Sequence, residues 1–99
     1  MSKVVGKEIV NVDSSTISTL QVPNSALGCY ISFDADPTST HPLKAARFWQ
    51  NGDTPTSSQG ALMGDNGYYE ICGRANMEHF KIIGIETSKS HRLMIEYYA

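Results

Sequence analysis

The sequence predicts an all-β fold, a β-sandwich or jelly roll of seven to eight short antiparallel strands with at most one short helical turn. Three observations carry that expectation. Apolar residues recur with a period of two, most cleanly in Leu27–Phe33 and Leu93–Tyr98. Clusters of Gly, Pro, Asn, Asp and Ser interrupt the chain at short intervals, as hairpins and strand connections require. The stretch Arg74–His79 alone tolerates a helical turn, and it is too short to persist without packing.

Taken in order, Val4–Val12 reads as a first strand, broken or bulged at Gly6. Residues 1–12 are expected to be an edge strand or an arm. As an arm, with Val4, Val5 and Ile9 free to pair with a neighbouring edge, they would be dispensable for folding. Asp13-Ser14-Ser15 makes a polar turn, and Thr16–Val22 sets Ile17 against Ser18 and Leu20 against Gln21, predicting a second short strand. Pro23-Asn24-Ser25 ends it. In Leu27–Phe33 the residues Leu27, Cys29, Ile31 and Phe33 share one face, which should lie at the centre of the core. From Asp34 to Pro42 the chain is polar and twice interrupted by proline, so it should cross the surface as a loop.

Ala46, Phe48 and Gln50 fall on one face of the next strand and Arg47 and Trp49 on the other. Asn51-Gly52 stops it, because both residues adopt positive φ at low cost and so form a tight reversal. Pro55 then fixes its own φ and extends Thr54, and Thr56 leads to a second break at Gly60. After the turn Gly64–Gly67, Tyr68–Gly73 alternates Tyr69 and Ile71 against Tyr68 and Glu70. Phe80, Ile82, Ile83 and Ile85 read as a buried strand, and Ser88-Lys89-Ser90 turns into the last one.

The run Arg-Phe-Trp-Gln-Asn-Gly-Asp-Thr-Pro-Thr-Ser-Ser-Gln-Gly, residues 47–60, resembles the aromatic-x-x-(Asp/Asn)-Gly-x-x-Pro-Thr-x-x-x-Gly signature of small β-sandwich modules. Two settings share it: short phage virion proteins and chitobiase-type immunoglobulin-like domains of secreted hydrolases. The phage proteins match more of the chain. In them the Pro-Thr turn is followed by a Gly-bounded strand, a short segment ending in Phe, a hydrophobic strand and a Tyr-rich strand. Here these are Gly67–Gly73, Ala75–Phe80, Lys81–Ile85 and Leu93–Tyr98, so the likeness covers Ala45–Ala99. Asn51 stands where Asp is commoner, which keeps the turn and removes a charge. The resemblance implies a capsid decoration, or cement, protein on the virion surface, with the major capsid protein and further copies of itself (a homodimer or homotrimer) as partners. A tail or head-completion component is the related alternative, and the second setting implies a carbohydrate-binding module.

Composition bounds these readings. Ninety-nine residues suffice for one domain spanning 1–99 and leave no material for a second core. A net charge of −2 with no basic stripe argues against nucleic acid as a partner. No apolar run approaches the roughly 20 residues that span a bilayer, and Met1–Gly6 lacks the apolar core of a signal peptide, so synthesis in the host cytoplasm and no membrane partner are expected. Cys29 and Cys72 are too few for a disulfide scaffold; Cys29 should be a small core hydrophobe.

No cofactor or metal is expected. His41, His79 and His91 lie in three separate elements and match no zinc spacing, so they should be solvated or capping groups. Asp34-x-Asp36 lacks the glycine and bidentate Glu of a calcium loop, which leaves loop capping. No nucleophile elbow is present, and the chain is read as non-enzymatic. Trp49 with Tyr30, Tyr68 and Tyr98 would make a platform for sugar rings, but core packing of Trp49 is the preferred reading. Tyr68 and Tyr98 each sit opposite an apolar face, so at least one sheet should present aromatic area outward. The candidate interface is therefore Val4, Val5, Ile9, Tyr30, Tyr68 and Tyr98.

Overall fold

The computed structural model describes residues 3–99. Its strands are β1 (Val4–Val12), β2 (Gly28–Asp34), β3 (Ala46–Trp49), β4 (Ala61–Met63), β5 (Tyr68–Cys72), β6 (Lys81–Gly84) and β7 (His91–Tyr98). A 3₁₀ turn at Pro42–Lys44 and a single helical turn, α1 (Arg74–Glu78), complete it. One sheet runs β1-β7-β2-β5 and the other β4-β3-β6, with every pairing antiparallel. The chain is an all-β sandwich.

The period-two pattern builds the core. From β7 come Leu93, Ile95 and Tyr97, from β2 Cys29, Ile31 and Phe33, and from β1 Val10 and Val12. The second sheet adds Ala46, Phe48, Met63 and Ile82 across the gap. Phe48 packs edge-on to Tyr69 at 6.2 Å and against Phe80 at 5.5 Å, and Met77 of α1 is fully buried, which is what holds so short a helix in place. Burying side chains of this size contributes about 1.5–3 kcal/mol each before conformational entropy is set against it.

Several expectations are met in detail. The register of β1 on β7 slips between Val4 and Gly6, so the expected bulge is present. Gly52 sits at φ +89° and Gly60 at +132°, a conformation that β-branched residues resist. The reversal is nevertheless not a two-residue hairpin. The carboxamide oxygen of Asn51 accepts the Asp53 N–H at 3.0 Å, and the chain runs on through buried Pro55 to Thr56, whose hydroxyl accepts the Gln59 N–H at 3.0 Å. Arg47 donates to the carbonyls of Ser57 at 3.2 Å and Gly60 at 2.8 Å. β4 follows at Ala61–Met63, a strand the sequence reading did not assign.

Other expectations are corrected. Thr16–Val22 is not a strand. It is a strap along the open side of the sandwich, joined to β6 by one bridge, Ser18 with Ile82, and to β1 by the Ser18 hydroxyl on the Asn11 carbonyl at 2.8 Å. The buried Leu20 anchors it. Leu27 lies ahead of β2 and is 62% exposed, with Ala26 taking the buried position. Of the four apolar residues around β6, Phe80 and Ile82 are buried, while Ile83 and Ile85 are only half-buried because they point away from the core.

The arm reading also fails. β1 pairs with β7 along its whole length, and beyond it the Lys3 N–H reaches the Ala99 carbonyl at 2.9 Å. Residues 1 and 2 of the expected arm lie outside the described residues. Deleting residues 1–12 would strip β7 of one partner and remove buried Val10 and Val12, a loss beyond what a small domain tolerates. The truncated chain is expected to show no cooperative thermal unfolding by circular dichroism. A sigmoidal melt near that of the full chain would show that β1 is dispensable.

Candidate functional site

The same alternation that fills the core fixes what the four-stranded sheet shows to solvent. With Cys29, Ile31 and Phe33 inward, β2 presents Tyr30 and Ser32; β5 presents Tyr68, Glu70 and Cys72; β7 presents Met94, Glu96 and Tyr98; β1 presents Lys7 and Ile9. The register aligns these into rows. Ile9, Met94, Ser32 and Tyr68 form one, and Lys7, Glu96, Tyr30 and Glu70 the next.

Tyr30 is the centre of an aromatic cluster. Its ring stacks on Tyr68 with centroids 5.6 Å apart and planes 23° apart, and leans on Tyr98 at 5.0 Å. Tyr98 lies across β2 over Gly28, where a Cβ would come within 2.2 Å of its hydroxyl oxygen, so only glycine allows this pose. The Tyr98 hydroxyl donates to Glu70 Oε2 at 2.5 Å, and the Cys72 thiol donates to the same oxygen at 3.3 Å. That hydrogen bond to Glu70 raises the Tyr98 pKa far above the ordinary phenol value, and the Glu70 charge raises that of Tyr30. Both rings are neutral under ordinary conditions. A shallow groove of about 330 Å³ runs between the rings and β1, with Ile9 and Tyr68 63% and 72% exposed along it.

Of the expected interface, Ile9, Tyr30, Tyr68 and Tyr98 thus share one face. Val4 lies at its corner, opposite Tyr98 and exposed. Val5 does not belong to it, because the bulge turns this residue against the core. Trp49 is on the other sheet altogether, half-buried beside Asn51 and Asn76, so the expected four-ring platform is split and Trp49 is not a core residue. Its parity in β3 is that of Arg47; Phe48 has the core position. Glu70, Met94, Glu96 and Lys7 belong to the face and were not singled out, although the parity of Glu70 with Tyr68, of Met94 and Glu96 with Tyr98, and of Lys7 with Ile9 was available in the sequence.

The outer side of the three-stranded sheet carries a second groove, of about 610 Å³, between exposed Leu43 and Leu62 and flanked by Lys44 and Arg47. Among the described residues no cluster of His, Cys, Asp or Glu is arranged to hold a metal ion. Cys29 and Cys72 are both free and project from opposite faces of the sheet, with burial pushing the Cys29 thiol up to about 11. No helix among the described residues is long and apolar enough to cross a membrane. Asp36 caps its own loop, accepting the Thr38 N–H at 2.9 Å and the Ser90 N–H at 3.0 Å, while Asp34 pairs with Arg92 at 2.8 Å.

His91 corrects the expectation of solvated or capping histidines. It is fully buried at the start of β7 beside the Phe33 ring. Its Nδ1 accepts the Asp36 N–H at 2.9 Å, so the proton of the neutral ring is on Nε2, which has no partner.

These features define the chain as a small β-sandwich with one aromatic outer face. Comparison with protein-family models, curated proteins and solved structures finds no match.

Two measurements follow. Trp49→Ala is expected to cost less than about 2 kcal/mol, against about 3–5 kcal/mol for Phe48→Ala, because only Phe48 leaves a core cavity. Equal costs by chemical denaturation would contradict the assigned facing of β3. Burial lowers the His91 pKa, despite the opposing pull of Asp36, Glu86 and Asp65, so the unfolded chain takes up the proton first. Stability should be complete above the unfolded value of 6.5 and fall as pH drops from there toward the lowered folded value. A separate loss, as Glu86 protonates between its unfolded 4.5 and its folded value of about 2, comes later. His91→Asn keeps an acceptor for Asp36 without a titrating group, and a melting temperature of that variant still declining between pH 6.5 and 5 would exclude His91 as the cause.

Proposed function

We propose that this chain is a non-enzymatic structural protein of a phage particle, a capsid decoration protein that bridges and stabilises major capsid subunits. The observation that carries the reading is the continuous aromatic face of Tyr30, Tyr68 and Tyr98 with Ile9, spread over a rigid sheet and open to solvent. A monomer gains nothing by exposing such a patch, whereas an interface does. The resemblance of residues 45–99 to phage virion modules supports the virion surface as its place. The Leu43–Leu62 groove on the opposite sheet supplies a second apolar surface, and a bridge needs two. Self-association through one and attachment to the shell through the other is the arrangement we favour, with no cofactor, nucleic acid or membrane involved.

A carbohydrate-binding module is the second reading, favoured by stacked Tyr rings beside the Glu70 and Glu96 carboxylates, since ring faces and acceptors are what sugars engage. Quantitative mass spectrometry of purified virions separates the possibilities. Copy number comparable to that of the major capsid protein is expected, together with pelleting of added protein on undecorated capsids. A few copies per particle would indicate a tail or head-completion component. Absence from virions combined with glycan binding lost in Tyr68→Ala would replace the proposal with the sugar-binding one.

A further inference from the structure

We infer that the aromatic face is the contact between two copies of this chain, packed sheet on sheet about a two-fold axis that runs parallel to the strands between β7 and β2. The inference deepens the proposed function by assigning its self-association to one surface and one symmetry. The lateral order of the face selects this axis. Across the row Lys7, Glu96, Tyr30, Glu70 the basic residue stands at the β1 edge and an acidic one at the β5 edge. A two-fold along the strands lays β1 over the partner's β5 and β7 over the partner's β2 without shifting the rows. Lys7 then meets the partner's Glu70, and by symmetry the contact occurs twice.

The neighbouring rows agree with the same operator. Ile9, one of the most exposed apolar residues, meets the partner's Tyr68, the most exposed aromatic. At the far end Arg92 meets the partner's Asp34, closing a four-charge ring with the intrachain pair. An axis perpendicular to the strands has no such property, since it lays each strand on its own copy and Lys7 opposite β1 of the partner. Aligned face-to-face packing at about 10 Å is the ordinary way for two β-sheets to bury such surfaces. The pair would leave both Leu43–Leu62 grooves pointing outward in opposite directions, as a bridge requires.

Charge reversal tests this geometry directly. Within one chain Lys7 and Glu70 are three strand spacings apart, about 14 Å, beyond the screening length of about 10 Å at 0.1 M salt, so they do not compensate each other internally. The full chain at roughly 100 µM should be a dimer by light scattering on a sizing column. K7E and E70K, each alone, set like charges together twice and should weaken the dimer about tenfold or more. Mixed one to one, the two variants restore both attractive contacts and should form the heterodimer in native mass spectrometry. Because E70K also removes the acceptor of Tyr98 and K7E sets a second carboxylate opposite Glu96 of its own chain, I9D gives a second route: it should be monomeric, with the melting temperature that the wild type shows when diluted to monomer. A monomeric wild type, a dimer indifferent to I9D, or a mixture no tighter than its separate components would overturn the inference. None of these readouts involves capsids, so the dimer and the virion assignment fail or stand separately.

Discussion

The pairing of β7 on both of its sides is the constraint on which the rest of the structure depends. β7 holds β1 on one flank and β2 on the other, and its residues His91, Leu93, Ile95 and Tyr97 are all buried. The two ends of the chain therefore meet in one ladder, the strand pairing of greatest sequence separation, which raises the contact order of the fold. Tyr97 adds a polar tie inside it. Its hydroxyl donates to Glu8 Oε1 at 2.6 Å, and the same oxygen accepts the Gln21 N–H at 3.1 Å, so one carboxylate joins β7, β1 and the strap. Burial and this hydrogen bond raise the Tyr97 pKa strongly, which keeps the phenol a donor.

How far the sequence foretold this depends on how local the determining physics is. In Leu27–Phe33 alternation put Cys29, Ile31 and Phe33 inward, and in Leu93–Tyr98 it put Tyr98 outward, as found, because a strand with one buried face has little freedom of register. The bulge near Gly6 and the positive φ of Gly52 are equally local, and they were readable for the same reason. Thr16–Val22 alternates almost as well, yet its one backbone bridge to a strand is at Ser18, and Gln21 is held instead by the Glu8 side chain, so local alternation alone does not make it a strand. Leu27 was misassigned because the pattern extends one residue beyond the strand. His91 continues the inward parity of Leu93, Ile95 and Tyr97, a signal present in the sequence, whereas the Asp36 N–H that its Nδ1 accepts comes from a loop 55 residues away that no spacing reveals.

The outer face was partly readable for a related reason. Tyr68 and Tyr98 stand opposite buried neighbours, so their outward direction follows from the core. That they touch through Tyr30 follows only from the β2–β5 and β2–β7 registers, which set Tyr30 between Glu70 and Glu96. Trp49 shows the limit of composition as a guide: the largest aromatic of the chain is half-exposed because the parity of β3 assigns the core to Phe48.

Core and face are therefore not independent designs. β2 is flanked by β5 and β7, the two strands that bring Tyr68 and Tyr98, and its Gly28 is the opening over which Tyr98 lies. A side chain at that position would displace the Tyr98 ring, separate its hydroxyl from Glu70 and break the cluster, while Cys29 and Ile31 on the inner side remained in place. The residue that shapes the exposed surface most is thus one with no side chain. Its role is set by the strand register that packs the interior, and on that frame the stacking of Tyr30 on Tyr68 and the bond of Tyr98 to Glu70 complete the face.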